Sequence, residues 1–280
     1  MNTSWKQGEN TFTECGKDRI MSDGNVKTIR AVETTFEILD ALSGVEPAGL
    51  SELASTVDIP ASTIYVHLNT LVEQGFVVKD AGEYRRSFRF LEVGGDIRQR
   101  VDIARLLRNK VEELSRVTGE IVGAAVEENG KRVILYRSTG EKAAADEIPI
   151  GNRTEMHWTS LGKAILAYLP EARRAEIVER HGLPSGTNRT VSSLSELEDS
   201  LTRVRERGYA IDDEEHLRGI RGIAVPLLDK NGEVKASIGV TGPRDRFTPA
   251  YMSELLNVLQ YSKNELEVRN QYSEYTTIDG

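Results

Sequence analysis

The 280-residue chain has a single cysteine, Cys15. One thiol excludes an internal disulfide framework and any cysteine-based zinc knuckle, and its polar setting makes it a plain exposed thiol. No apolar run reaches the roughly 18 residues that a membrane span needs. The N-terminus lacks an apolar h-region, so no secretory signal is read and the expected compartment is the cytoplasm. Lysine is scarce, 11 Lys against 25 Arg, and positive charge is in deficit, 36 Lys+Arg against 44 Asp+Glu, a net of −8. That balance argues against a generally basic nucleic-acid coat but leaves room for a local basic patch. Few lysines with excess acid also suit a high-salt cytoplasm. The chain carries no internal repeat, no G-x-G-x-x-G, no phosphate loop and no H-E-x-x-H, so no cofactor is called for.

What is present is enough apolar residue, 39% against 29% charged, for one large domain or two medium ones. Residues 1–25 are polar and aperiodic and are expected to form a flexible tail. Val32, Phe36, Leu39 and Leu42 recur at helical spacing until Gly44 and Pro47. A short helix follows around Leu53 and Val57, then the turn Asp58-Ile59-Pro60. A third helix has Ile64, Leu68, Leu71 and Val72 inward and ends at Gly75. Runs 76–79 and 84–90 flank the turn Asp80-Ala81-Gly82-Glu83 as a hairpin. Helix, short helix, tight turn, helix, hairpin is the pattern of a winged helix-turn-helix.

Gly94-Gly95 is the expected hinge. Ile97, Val101, Ala104, Leu107, Val111 and Leu114 predict one amphipathic helix over 96–118 that links the domains and suits pairing with a second subunit. Beyond Gly119 the chain alternates strands and helices. Asn129-Gly130 and Asn231-Gly232 mark hairpins, Ser193 to Glu196 forms a capping box, and Thr248-Pro249 opens a last helix to about Val268. This is an α+β domain on an antiparallel sheet over 119–268, followed by a polar tail, 269–280.

Three groups of residues are candidates for chemistry. On the third helix Ala61, Ser62, Thr63, Tyr65, Val66 and Asn69 face outward, with hydroxyls for phosphates and Tyr65 and Asn69 for base edges. Arg85, Arg86 and Arg89 cluster on the wing and suit backbone or minor-groove contacts; the alternative is a solvated strand edge. Residues 26–95 hold 6 basic and 10 acidic residues, 6 − 10 = −4, and four of the six lie between 79 and 89. Few phosphate contacts per subunit then imply that tight binding needs a dimer. The second group, Trp158 to Lys163, opens a helix whose free N–H groups at 160–162 suit an anion, against the alternative of an ordinary capped helix. The third runs from Asp212 to His216. With His157 it suggests a metal-dependent hydrolase using His157, Asp213, Glu215 and His216, but neighbours on a strand point to opposite faces, which favours a polar loop. A winged-helix protein-binding adaptor is a further alternative.

Five stretches in order resemble the IclR family of transcriptional regulators across residues 26–268. They are Pro60-Ala61-Ser62-Thr63-Ile64-Tyr65, His157 with Leu161-Gly162-Lys163-Ala164-Ile165-Leu166-Ala167, Arg207 to Glu215, Gly219 to Pro226, and Ile238 to Pro243. The resemblance implies a winged helix that binds double-stranded operator DNA, a linker helix and a GAF-like effector domain. It further implies a homodimer or homotetramer and a small organic-acid ligand. Carried over residue by residue, it places Thr154, Met156, Ser160, Leu161, Asp212, Gly222, Gly239 and Thr241 at the ligand. This chain departs from the pattern at Val66, where arginine is common, and at Gly222 and Gly239, where cysteine and serine are common. The two glycines imply a roomier pocket suited to a sugar acid or an aromatic acid.

Overall fold

The computed structural model describes residues 27–101, 103–143 and 148–276, with side chains through 270. The expected tail 1–25 and Cys15 lie outside the described residues. The chain divides into two compact units, one through Arg98 and one from Gln99.

The first unit contains α1 (Arg30–Val45), β1 (Ala48–Gly49), α2 (Leu50–Thr56), α3 (Ala61–Glu73), β2 (Val77–Asp80), β3 (Glu83–Arg86) and α4 (Arg89–Gln99). Its antiparallel sheet has the order β1-β3-β2. Ile38, Leu39 and Leu42 of α1 meet Leu53 of α2, Ile64, Leu68 and Leu71 of α3, and Val77 and Tyr84 of the hairpin in one core. The inward face of α1 is narrower than its periodicity predicts: Val32 and Phe36 are 49% and 61% exposed. The wing turns through Ala81 and Gly82, both at positive φ (48° and 91°), as a two-residue hairpin loop requires.

The second unit contains α5 (Ala104–Thr118), β4 (Ile121–Glu128), β5 (Lys131–Thr139), β6 (Arg153–Glu155), α6 (Ser160–Leu166), α7 (Glu171–His181), α8 (Leu194–Arg207), β7 (Ala210–Asp213), β8 (Ile220–Leu228), β9 (Val234–Pro243) and α9 (Pro249–Thr276). The six strands run antiparallel in the order β6-β5-β4-β9-β8-β7. One face carries α5 and α9 over Val122, Ala124, Ile223, Val225, Ile238 and Val240. The other carries α6 and α8 over Ala125, Ile134, Ala210 and Ala224. Odd and even residues of each strand therefore serve two separate cores.

Three expectations change. The helix expected over 96–118 is broken: α4 ends at Gln99 and α5 begins at Ala104. Ala104, Leu107, Val111 and Leu114 are buried against the sheet of the second unit, while Ile97 is 57% exposed. Periodicity reports an apolar stripe but not which surface covers it. Gly94 and Gly95 lie inside α4 rather than at a hinge. Each costs about 1 kcal/mol relative to alanine there, which the ladder on either side tolerates. The polar tail expected from 269 is instead helical through Thr276. No glycine or proline occurs between Pro249 and Thr276, and polar residues such as Glu265 and Arg269 support the helix as an i,i+4 pair at 2.9 Å. Among the described residues no helix is long and apolar enough to cross a membrane.

Candidate functional site

The outward face of α3 is built as its sequence requires. Pro60 precedes the helix with an extended ψ of 136° and offers no side-chain cap. Its carbonyl accepts the amides of Thr63 and Ile64, which leaves those of Ala61 and Ser62 at the start of the helix. Ala61, Ser62, Tyr65 and Val66 are exposed, and Thr63 and Asn69 are half-buried. The Lys79 ammonium stands 5.8 Å from the Tyr65 ring and 5.1 Å from the Tyr84 ring, tying the α3 surface to the wing. His67 points back toward α1, with Nδ1 2.8 Å from the Thr35 hydroxyl.

The three wing arginines do not form the cluster their spacing predicts. Arg85 and Arg86 are neighbours on β3 and leave opposite faces of the strand. Arg85 keeps its guanidinium exposed, 5.9 Å from the Phe88 ring centre. Arg86 donates to Glu46 through Nε (3.0 Å), Nη2 (2.8 Å) and its backbone amide (2.7 Å). Burial pushes the Glu46 carboxyl up, but those bonds outweigh it and hold it below the usual range. Arg89 is not on the wing. It lies on α4, donates to the Gln74 carbonyl at the end of α3 and packs 4.7 Å from the Phe76 ring. One arginine of the three is thus presented for an external anion.

In the second unit the residues expected at a ligand fall into two groups on the α6 side of the sheet, with Thr154 apart from both. Ser160, Asp212, Gly222 and Thr241 converge. A Cβ on Gly222 would sit 2.8 Å from Ser160 Oγ and 3.2 Å from Thr241 Oγ1, and Asp212 pairs with Gly222 across β7 and β8. Met156 and Leu161 belong to the apolar core under α6, and Gly239 lies against β8. Thr154 stands apart on β6, accepting from Arg132 Nε at 3.0 Å.

Two expectations about this region fail. The glycines do not open room. The space beside Gly222 is taken by the two hydroxyls, and a Cβ on Gly239 would meet Ile223 O at 2.6 Å and Ala224 Cβ at 2.7 Å. The amides at 160–162 are not all free either. Gly162 N donates to the Thr159 hydroxyl at 3.0 Å, and α6 has only seven residues. Gly162 serves close packing instead, since a Cβ there would lie 2.1 Å from Met156 O.

The acidic run is dispersed. Asp213 contacts Arg189 (3.0 Å), Arg221 (2.6 Å) and Arg244 (3.3 Å), and Glu214 contacts Arg189 and Arg244. Glu215 pairs with the buried Lys163. Asp212 turns inward, 4% exposed, and its Oδ1 accepts from Glu215 N (2.8 Å) and His216 N (3.4 Å). Burial raises the Asp212 carboxyl to about 7, against the pull of Lys163. His157 and Trp158 both reach the Pro184 carbonyl, at 3.0 and 2.8 Å. Of the residues of the hydrolase alternative, His157 is held by the Pro184 carbonyl, Asp213 by three arginines and Glu215 by Lys163, and among the described residues no three ligating side chains gather around a metal position.

The sequence reading missed Arg132 and Arg137. Both lie close enough to His216 to help burial push its imidazole down to about 4. Arg137 is buried enough that its own guanidinium falls to about 10. Five residues apart on a regular strand, they would face opposite ways. A bulge at Leu135, where Ala124 and Ala125 pair with Tyr136 and Ile134, restores them to one side. His216 stacks on Trp158 at 5.8 Å and 25°. A guanidinium pair, a neutral imidazole and the Ser160 and Thr241 hydroxyls thus line the α6 side of the sheet, an arrangement able to receive an anion.

Comparison with known proteins bears on both units. The family described as "IclR helix-turn-helix domain" matches residues 31–81, and "Bacterial transcriptional regulator IclR C-terminal" matches residues 96–267. The probable HTH-type transcriptional regulator ArcR of Halobacterium salinarum is 30% identical over 253 residues, 89% of this chain and 96% of that protein. The crystal structure of Thermotoga maritima IclR superposes with a TM-score of 0.75 at 26% identity, covering 87% of this chain and 99% of that one. A double mutant of the inducer-binding domain of the Acinetobacter transcription factor PobR, in complex with 3-hydroxy benzoic acid, has a TM-score of 0.53 at 27% identity. It covers 58% of this chain and 96% of that one.

Proposed function

This chain belongs to the IclR family of transcriptional regulators, and we propose that it binds operator DNA as a homodimer or homotetramer in the cytoplasm under the control of a small organic acid. DNA is read by α3, through Ala61, Ser62, Thr63, Tyr65, Val66 and Asn69, with Lys79 and Arg85 on the wing meeting phosphates. The exposed α3 face and the presented Arg85 support this assignment. Arg86 and Arg89 hold the wing and α4 in place instead.

The organic acid binds on the α6 side of the second unit's sheet. The observation that carries this reading is the placement of buried Arg132 and half-buried Arg137 beside His216, with Ser160, Asp212 and Thr241 on the same face. A carboxylate is held by the guanidiniums, and hydroxyl substituents meet Ser160, Thr241 and Asp212. The hydroxybenzoate complex of the PobR relative supports a carboxylic acid as the ligand class. Binding biases the spacing of paired winged helices, which is how the ligand reaches the DNA.

Two measurements test the reading. Nuclease protection of the DNA upstream of the protein's own gene shows a footprint at moderate salt. Titration calorimetry with 3-hydroxybenzoate, D-gluconate and pyruvate shows at least one acid binding, and that acid alters the footprint. A footprint indifferent to every acid that binds removes the effector role, and no footprint at all favours a protein-binding adaptor.

A further inference from the structure

Asp212 is an acidic group placed where an acid is to bind. It sits on β7 opposite Gly222, so its side chain shares the α6 face with Ser160 and Thr241. Oδ1 is held by two backbone amides from the loop that follows β7. Both amides go to Oδ1, which leaves Oδ2 for another partner in a residue only 4% exposed. The charges around it come from α6, β5, β8 and the loop after β7. Lys163 on α6 is committed to Glu215, and Glu215 and His216 lie on the loop. Arg132 and Arg137 on β5 face His216. On β8 Arg221 is turned away to Asp213.

We propose that the organic acid binds this site together with a proton, so that Asp212 is a neutral carboxylic acid in the complex and donates from Oδ2 to the ligand. The inference rests on the ligand site proposed above. Its basis is electrostatic: of two carboxylates brought into one buried site, the one without a cationic partner is driven to take a proton. The ligand's carboxylate is the one held by guanidiniums, and Asp212 has none. The incoming proton comes from solvent and goes to Oδ2; no other bond is made or broken. With the Asp212 carboxyl at about 7 before the ligand arrives, the site is poised to take it up near neutrality.

The consequences are measurable with the acids already named, whose carboxyls are ionised throughout pH 6–8. Calorimetry in two buffers of different ionisation enthalpy gives the number of protons taken up. We expect close to one per ligand at pH 8, about half at pH 7 and nearly none at pH 6, with affinity falling about tenfold per pH unit above 7. In Asp212→Asn, a neutral donor of the same shape, the ligand binds and both the uptake and the pH dependence vanish. In His216→Gln, whatever the change in affinity, the uptake per bound ligand and its pH dependence persist. Uptake surviving in Asp212→Asn but lost in His216→Gln assigns the proton to the imidazole and overturns the inference. So does ligand binding in the wild-type protein with heats identical in the two buffers. Should none of the three acids bind at any pH, the ligand site itself is wrong, and the inference falls with it.

Discussion

Arg85 and Arg86 on β3, and Arg132 and Arg137 on β5, are both arginine pairs an odd number of residues apart, one in each unit of the chain. The first pair is split. One guanidinium stays in solvent and the other is clamped by Glu46. The second pair converges, because the extra residue Leu135 shifts the pleat by one position. The difference sets what each pair can do. An exposed arginine acts over a distance limited by salt, about 8 Å at physiological ionic strength. Buried arginines act at short range in a low dielectric, where salt reaches them poorly. The first unit is therefore suited to a partner carrying many charges at its surface, and the second to one small ion enclosed.

Five substitutions, in four tests, can break or sharpen that contrast. Gly162→Ala has the largest expected effect. Its new Cβ would overlap the Met156 carbonyl and push α6 off the sheet on which the buried arginines lie. A loss of about 3 kcal/mol is expected for the second unit in chemical denaturation, with the first unit's transition unmoved. A single shared shift in both transitions would show that the units do not unfold separately.

Arg137→Gln removes one half-buried guanidinium and retains a hydrogen-bonding end. Ligand affinity should fall by about 2 kcal/mol, roughly thirtyfold, by calorimetry, and that loss should be the same at low and high salt. Salt-dependent loss would mean that Arg137 acts from the surface.

The third test separates the two arginines of the wing. Arg85→Ala should lower the slope of log affinity for DNA against log salt by about one per subunit. Arg86→Ala should leave that slope alone and instead cost the first unit on the order of 1 kcal/mol in thermal unfolding, the usual scale of an exposed ion pair. Equal slopes for the two variants would return Arg86 to the DNA interface.

Ala81→Gly has the smallest effect. Alanine at φ 48° carries a steric cost that glycine lacks, so the first unit should gain about 0.5–1 kcal/mol. DNA affinity should be unchanged, because Ala81 presents no charge or hydrogen-bonding group. A change in affinity would place the wing tip against the duplex.

Several features were legible in the residues alone. Ile64, Leu68 and Leu71 fix the buried side of α3 and with it the outward set from Ala61 to Asn69, because helical period is a local property. Asn129-Gly130 specifies its hairpin in the same way, with φ values of 53° and 81°. Contacts distant in sequence were not legible. Arg86 meets Glu46 forty positions away, and Arg89 leaves the wing for the end of α3. The α5 stripe announced a partner but not that the partner was the sheet of its own unit. Polar composition after Val268 resembled a tail because helix continuation depends on the absence of breakers, not on apolar content.

The chain's acidic balance also takes a different meaning. Four basic residues between Lys79 and Arg89 suggested a concentrated positive wing. The structure commits two of the three arginines there to internal partners, which leaves the outward positive charge of the wing to Lys79 and Arg85.

The sequence by itself determined the winged helix-turn-helix, the antiparallel α+β domain behind it and the family to which both belong, since period, turn residues and motif order are all written in neighbouring residues. Only the tertiary structure decided which arginines face outward, which share one side of the sheet, and that Asp212 is buried on the face that carries Ser160 and Thr241. Those outcomes depend on one bulge, on strand pairing and on salt bridges between residues far apart in the chain, and no local pattern encodes them.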